Sequence, residues 1–133
     1  MEKEPVMSQF NKDIKERSFD FALNTIRTCK YLKERHREFI ITNQLFRSAT
    51  SVGANMREAK NAESKADFIH KLAICQKECD ESIYWMELLI EYIDEEKETL
   101  QPLCQEAEEL LKIIKTISIR TKENVKRSKN YKC

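Results

Sequence analysis

The chain of 133 residues carries 24 Lys+Arg against 23 Asp+Glu, is 41% hydrophobic and 35% charged, and contains one Gly and two Pro. A single glycine cannot supply the turn that a β-sandwich or barrel needs roughly every 8–12 residues, nor a Gly-rich phosphate loop or dinucleotide fingerprint. High charge, few helix breakers and the length of one ordinary domain leave an all-α fold with one core.

Taken in chain order, the apolar spacing predicts four helices. From Phe19, the positions Leu23, Ile26 and Cys29 recur at helical steps, and a second line of Phe21, Thr25, Thr28 and Leu32 widens the face. The pattern stops in the charged run Glu34-Arg35-His36-Arg37-Glu38. Thr42 is then the expected N-cap of a second helix, with Ile41 and Phe46 at staple spacing around it. That helix carries Leu45, Ala49, Val52, Met56 and Ala59 in strict 4-3-4-3 alternation and ends near Asn61. Ser64-Lys65-Ala66-Asp67 reads as a capping box, Asp standing in for Glu. The third helix follows with Phe68, Leu72, Cys75, Cys79, Met86, Ile90 and Ile93; core or subunit contact is the default for Tyr84, Trp85 and Tyr92. The turn Asp94–Thr99 closes it. Pro102 suits the first turn of a fourth helix, which runs through Leu103, Ala107, Leu110, Ile114 and Ile117. Short connections make an antiparallel up-down four-helix bundle. Residues 1–133 form one domain, with fraying expected at about 1–12 and a basic tail at about 122–133.

No apolar segment opens the chain as a signal peptide would, and the most apolar run, Trp85 to Ile93, is broken by Glu87 and Glu91. It is far shorter than the ~18 residues of a membrane span. Five cysteines, an odd count without secretory context, read as thiols of a reducing cytoplasm. Cys133 as the last residue makes no prenylation box.

Charge is partitioned. Residues 1–57 carry a net +4, residues 58–109 a net −10 and residues 110–133 a net +7. In the last stretch Lys115, Lys122, Lys126 and Lys129 fall on one helical face, flanked by Arg120 and Arg127. Such a line is either a phosphate-binding stripe or a solvated helix end. Tyr131 is the only aromatic near it, so any nucleic acid bound there is held through its backbone with little sequence preference.

Catalytic groups are sparse. Asp67 and His70 have the i, i+3 spacing of di-iron bundles, but those need two such motifs and two further glutamates. His36, in a cationic loop, has no partner at that spacing. Cys75 and Cys79, one turn apart, could share zinc with His70 and Cys104, or serve as small buried hydrophobes. No Ser-His-Asp order or paired-carboxylate motif is present. The sequence therefore implies no catalytic residue, no metal and no cofactor.

The sole glycine lies mid-helix, where it costs about 1 kcal/mol relative to Ala. With Ser48, Ser51 and Asn55 it marks a close approach of another backbone, at a helix crossing or an oligomer contact. The segment Gln44-Leu45-Phe46-Arg47-Ser48-Ala49-Thr50-Ser51-Val52-Gly53-Ala54-Asn55-Met56-Arg57-Glu58-Ala59, followed by Asp67-Phe68-Ile69-His70-Lys71-Leu72 and Glu81-Ser82-Ile83-Tyr84-Trp85-Met86-Glu87-Leu88-Leu89, closely resembles a bacterial family. Its members are small four-helix bundles encoded in intervening sequences of 23S ribosomal RNA genes. The accessory variability determinant of diversity-generating retroelements falls in the same superfamily.

The resemblance covers residues 15 to 120 or so and implies a ring-like homopentamer. For the retroelement branch it also implies binding of nucleic acid and reverse transcriptase. A net charge of +1 departs from the strongly basic character of that branch.

The leading expectation is thus a homo-oligomeric interaction module that performs no chemistry and touches RNA or DNA backbone or a protein partner. Its positive surface comes from Arg47, Arg57 and the C-terminal basic residues. Arg47 and Arg57, ten apart, stand close to one face, and ion pairs with Glu58 or a third-helix acid are their alternative role. The competing expectations are a retroelement accessory protein and an enzyme using a metal held by Asp67, His70 and cysteines.

Overall fold

The computed structural model describes residues 6–132, with side chains from 14 to 129. Helices α1 (Val6–His36), α2 (Ile40–Lys60), α3 (Lys65–Tyr92) and α4 (Lys97–Lys132) follow one another, and a 3₁₀ turn, Asp94–Glu96, leads into the last. The connections are too short to cross the molecule, so each helix folds back along its predecessor. α2 packs between α1 and α3, and α4 closes the bundle against α3 and α1. The result is an all-α, antiparallel up-down four-helix bundle around one core. Of the termini expected to fray, residues 1–5 and Cys133 lie outside the described residues. The basic segment from Lys122 continues α4 as far as Lys132.

The apolar lines of α2 and α4 are buried as their periodicity requires: Leu45, Ala49, Val52, Met56 and Ala59 on one, Leu103, Ala107, Leu110, Ile114 and Ile117 on the other. On α3, Leu72, Cys75, Cys79 and Met86 are buried, and Ile93 just beyond its end is too. Phe68 and Ile90 are partly buried against the same core. α1 departs from expectation. It buries Ile14, Ser18, Phe21, Thr25, Cys29 and Leu32, whereas Phe19 is 56% exposed. Residues two apart are rotated by about 200° on a helix, so Phe19 and Phe21 cannot share a face. Phe21, Thr25 and Leu32 of the second line are buried as expected, while Ser18 takes an interior position that the apolar pattern passes over.

Helix ends follow local chemistry. Ser64 caps α3, its Oγ accepting from the Asp67 amide at 3.1 Å, while the Asp67 carboxylate accepts from the Glu63 amide at 3.3 Å. Thr42 is not the cap of α2. It lies buried in the first turn, donating its hydroxyl to the Glu38 carbonyl at 2.7 Å. Phe39 holds the N-cap position without a side-chain bond, and the capping contact comes from Glu38 before it, whose carboxylate accepts from the amides of Ile41 at 3.0 Å and Thr42 at 2.8 Å. A carboxylate there also meets the positive end of the helix dipole, which a hydroxyl does not. Helix α4 begins five residues before Pro102 rather than next to it, because Asp94–Glu96 coil into the 3₁₀ turn and Lys97 continues the winding.

Candidate functional site

The basic line occupies the exposed side of α4. Lys115, Arg120, Lys122, Lys126, Arg127 and Lys129 are all solvent-exposed, and beyond Ser118 no described residue of this helix is buried. Lys115 and Lys122 also line a shallow groove of about 270 Å³ between α3 and α4, together with Lys77 and Asp80 of α3. Lys77, Lys115, Lys122, Lys126 and Arg127 make no ion pair with any described residue.

Arg47 and Arg57 do not share a face. Arg47 points to α3, where it pairs with Glu78 at 3.1 Å and with Glu81. Glu81 also accepts from Trp85 Nε1 at 3.0 Å. This hydrogen bond and Arg47 together hold the Glu81 carboxyl below the usual carboxylate range. The charge of Arg47 is therefore compensated within the fold. Arg57 lies on the other flank of α2, in an open groove with Lys15, Glu16, Phe19 and Asp20 of α1 and with Gly53.

The small residues of α2 serve both of its neighbours. Ser48 Oγ is buried and 2.8 Å from Ser82 Oγ on α3. Gly53 faces α1, where a Cβ would stand 3.4 Å from the Ser18 carbonyl oxygen. Asn55 is half-buried and donates from its side-chain amide to the Ser51 carbonyl at 2.9 Å.

The metal constellation of Asp67, His70 and cysteines does not assemble. His70 is exposed, and Asp67 is committed to the cap of α3. Cys75 donates to the Val52 carbonyl at 3.7 Å and Cys79 to the Ala107 carbonyl at 3.2 Å. Burial pushes both thiols up to about 12, and Cys29 and Cys104 up to about 11. All four are buried, and Cys75 and Cys79 are turned to main-chain carbonyls, so they act as packing groups.

A second cluster was invisible in the sequence. At the end of the bundle where α1 turns into α2 and α3 into α4, the Glu96 side chain is 5% exposed. It accepts from His36 Nε2 at 2.8 Å and from the Tyr31 hydroxyl at 2.8 Å, and Arg35 Nε lies 3.7 Å away. These donors, His36 first, hold the Glu96 carboxyl below its ordinary 4.5. An ionised carboxylate only accepts, so the proton of this bond sits on His36 Nε2. His36 is thus not the unpartnered loop residue its local sequence suggests. The ligand atoms of His36, Glu95 and Glu96 lie within 4.8 Å of one another, yet His36 and Glu96 are hydrogen-bonded to each other and Arg35 stands 3.8 Å from Glu95 and 3.7 Å from Glu96. That set suits a latch between α1 and the α3–α4 connection better than a cation.

The same end exposes apolar groups. Phe39, Ile40 and Tyr92 border an open groove, Tyr92 being 73% exposed and Ile40 79%. Tyr84 and Leu88, at helical steps from Tyr92, extend this surface along α3. Of the three aromatics of that helix assigned by default to core or subunit contact, only Trp85 packs partly into the core. No helix among the described residues is long and apolar enough to cross a membrane.

Residues 11–116 match the family model described as 23S rRNA-intervening sequence protein. The chain is also similar to a crystal structure of a protein of unknown function from the S23 ribosomal protein family of Bacteroides thetaiotaomicron. The two are 39% identical, with a TM-score of 0.76, over 79% of this chain and 97% of that one. No curated protein matches the sequence. A family model spanning most of the bundle and a homologue of the same fold agree with the Ser-Ala-Gly segment of α2: the chain belongs to the 23S rRNA intervening-sequence protein family.

Proposed function

We propose that this protein is a self-assembling helical module of the cytoplasm that performs no chemistry and holds the sugar–phosphate backbone of RNA or DNA. The observation that carries the reading is the exposed basic line of α4, from Lys115 to Lys129, whose members Lys115, Lys122, Lys126 and Arg127 are not neutralised by described acids. Uncompensated cations along one helix attract a polyanion and release its counterions on binding.

Self-assembly is supported by Tyr84, Leu88, Tyr92, Phe39 and Ile40, a run of exposed apolar side chains. Several large apolar groups exposed at one end of a bundle suit a contact with another chain. A ring of five, as the family resemblance implies, would repeat the basic line five times. Arg57 stands in the α1–α2 groove, apart from this line, and Arg47 is already spent on Glu78 and Glu81. The accessory role beside a reverse transcriptase gains no support from the structure, and a net charge of +1 argues against it.

Two experiments test the proposal. Light scattering behind size exclusion should give a multiple of the 15.8 kDa chain, five-fold for the ring; a monomer would overturn the assembly. A low-salt gel shift with labelled RNA and DNA should show binding that Lys122→Glu with Lys126→Glu abolishes. Absence of a shift in the wild type would leave only a protein partner.

A further inference from the structure

We infer that the phosphate track of this protein is the groove between α3 and α4, and that Lys77 of α3 forms its second wall. The inference rests on the backbone-binding reading above and adds the site and a contributing residue. Lys115 and Lys122 of α4 line the groove on one side and Lys77 on the other, with Gln76 beside it and Asp80 as the one acid.

On α4 the two lysines are seven residues apart, two turns or about 10.5 Å along the axis. Lys77 faces them across the gap, so a chain of phosphates laid along the groove meets cations from both helices. Lys77 makes no ion pair of its own among the described residues: Glu81, one turn along its helix, feels its charge but is bound by Arg47 and by Trp85 Nε1. Lys126, one turn beyond Lys122, extends the track toward the C-terminus.

The lining contains no aromatic side chain on which a base could stack. Ile119, 57% exposed between Lys115 and Lys122 on the same line, offers an apolar surface suited to a sugar. The ligand class is therefore a phosphodiester backbone, read without regard to base. Single strands and duplexes share that chemistry, and the assay separates them.

The test is fluorescence anisotropy of a labelled 20-nucleotide RNA and its duplex across a salt series, using the full chain. Lys77→Ala, Lys115→Ala and Lys122→Ala each replace an exposed helical lysine by the best helix former, so circular dichroism melts should match the wild type. Each should reduce the slope of log K against log salt by about 0.7 on the single strand or about 0.9 on the duplex. Lys30→Ala, an exposed lysine of α1, should leave it unchanged, and Asp80→Asn should tighten binding. If Lys126→Ala weakens binding while Lys77→Ala behaves like Lys30→Ala, the groove is overturned and the basic helix stands. If the wild type binds neither probe at low salt, the backbone-binding reading itself fails.

Discussion

At Gly53 a Cβ would meet the Ser18 carbonyl oxygen at 3.4 Å and the Ala22 Cβ at 3.6 Å, both ordinary contact distances. Alanine therefore fits, and Gly53→Ala should recover up to about 1 kcal/mol of helix propensity. For a chain of this length that raises the melting temperature by roughly 3 °C; a loss of similar size would show that the crossing is tighter than its geometry. Ser18 itself is fully buried, and its Oγ has no hydrogen-bond partner among the described residues. A buried unpaired hydroxyl destabilises, so Ser18→Ala should stabilise by about 1 kcal/mol in urea unfolding. An unchanged or lower midpoint would imply a partner for that hydroxyl. The orphan serine was not legible in the sequence, because nothing local distinguishes an interior serine from an exposed one.

Elements with one dominant apolar line were readable, and elements with two competing lines were not. Leu45, Ala49, Val52, Met56 and Ala59 leave α2 a single way to face the core. On α1, Phe19 and Phe21 offer two faces, and the choice fell to the face sharing Leu32 and the polar Ser18 and Thr25. The latch at the bundle end lies beyond any local reading, because Glu96 and His36 are 60 residues apart. Its consequence is a pH dependence with a definite sign. Glu96 has a folded-state pKa below its ordinary 4.5. Its ionised form thus stabilises the fold above that value, and the contribution is lost as pH falls through the lower folded value. Glu96→Gln should destabilise near neutrality by about 1.5–3 kcal/mol, the range for hydrogen bonds to a charged group. It should also flatten the acid limb of stability against pH. A variant whose acid limb matched the wild type would show that the latch does not contribute.

Over the whole molecule, near-zero net charge conceals a division of labour. The acids between residues 58 and 109 include Glu78, Glu81, Glu96 and Glu106. Each of these is engaged within the bundle, by Arg47, by His36 and Tyr31, or by Arg17. The cations of α4 are spent less on the fold and stand outward. The linear sequence already displayed this partition; which charges are compensated became visible only when distant helices met.

The polyanion-binding surface of α4 is most directly tested by the affinity of the wild-type chain for an unstructured RNA between 50 and 200 mM salt, roughly the range over which phosphate contacts are expressed. Log K should fall linearly with log salt, with a slope of about −0.7 for each lysine or arginine engaged. A salt-independent affinity, or no binding at the lowest salt, would contradict the account.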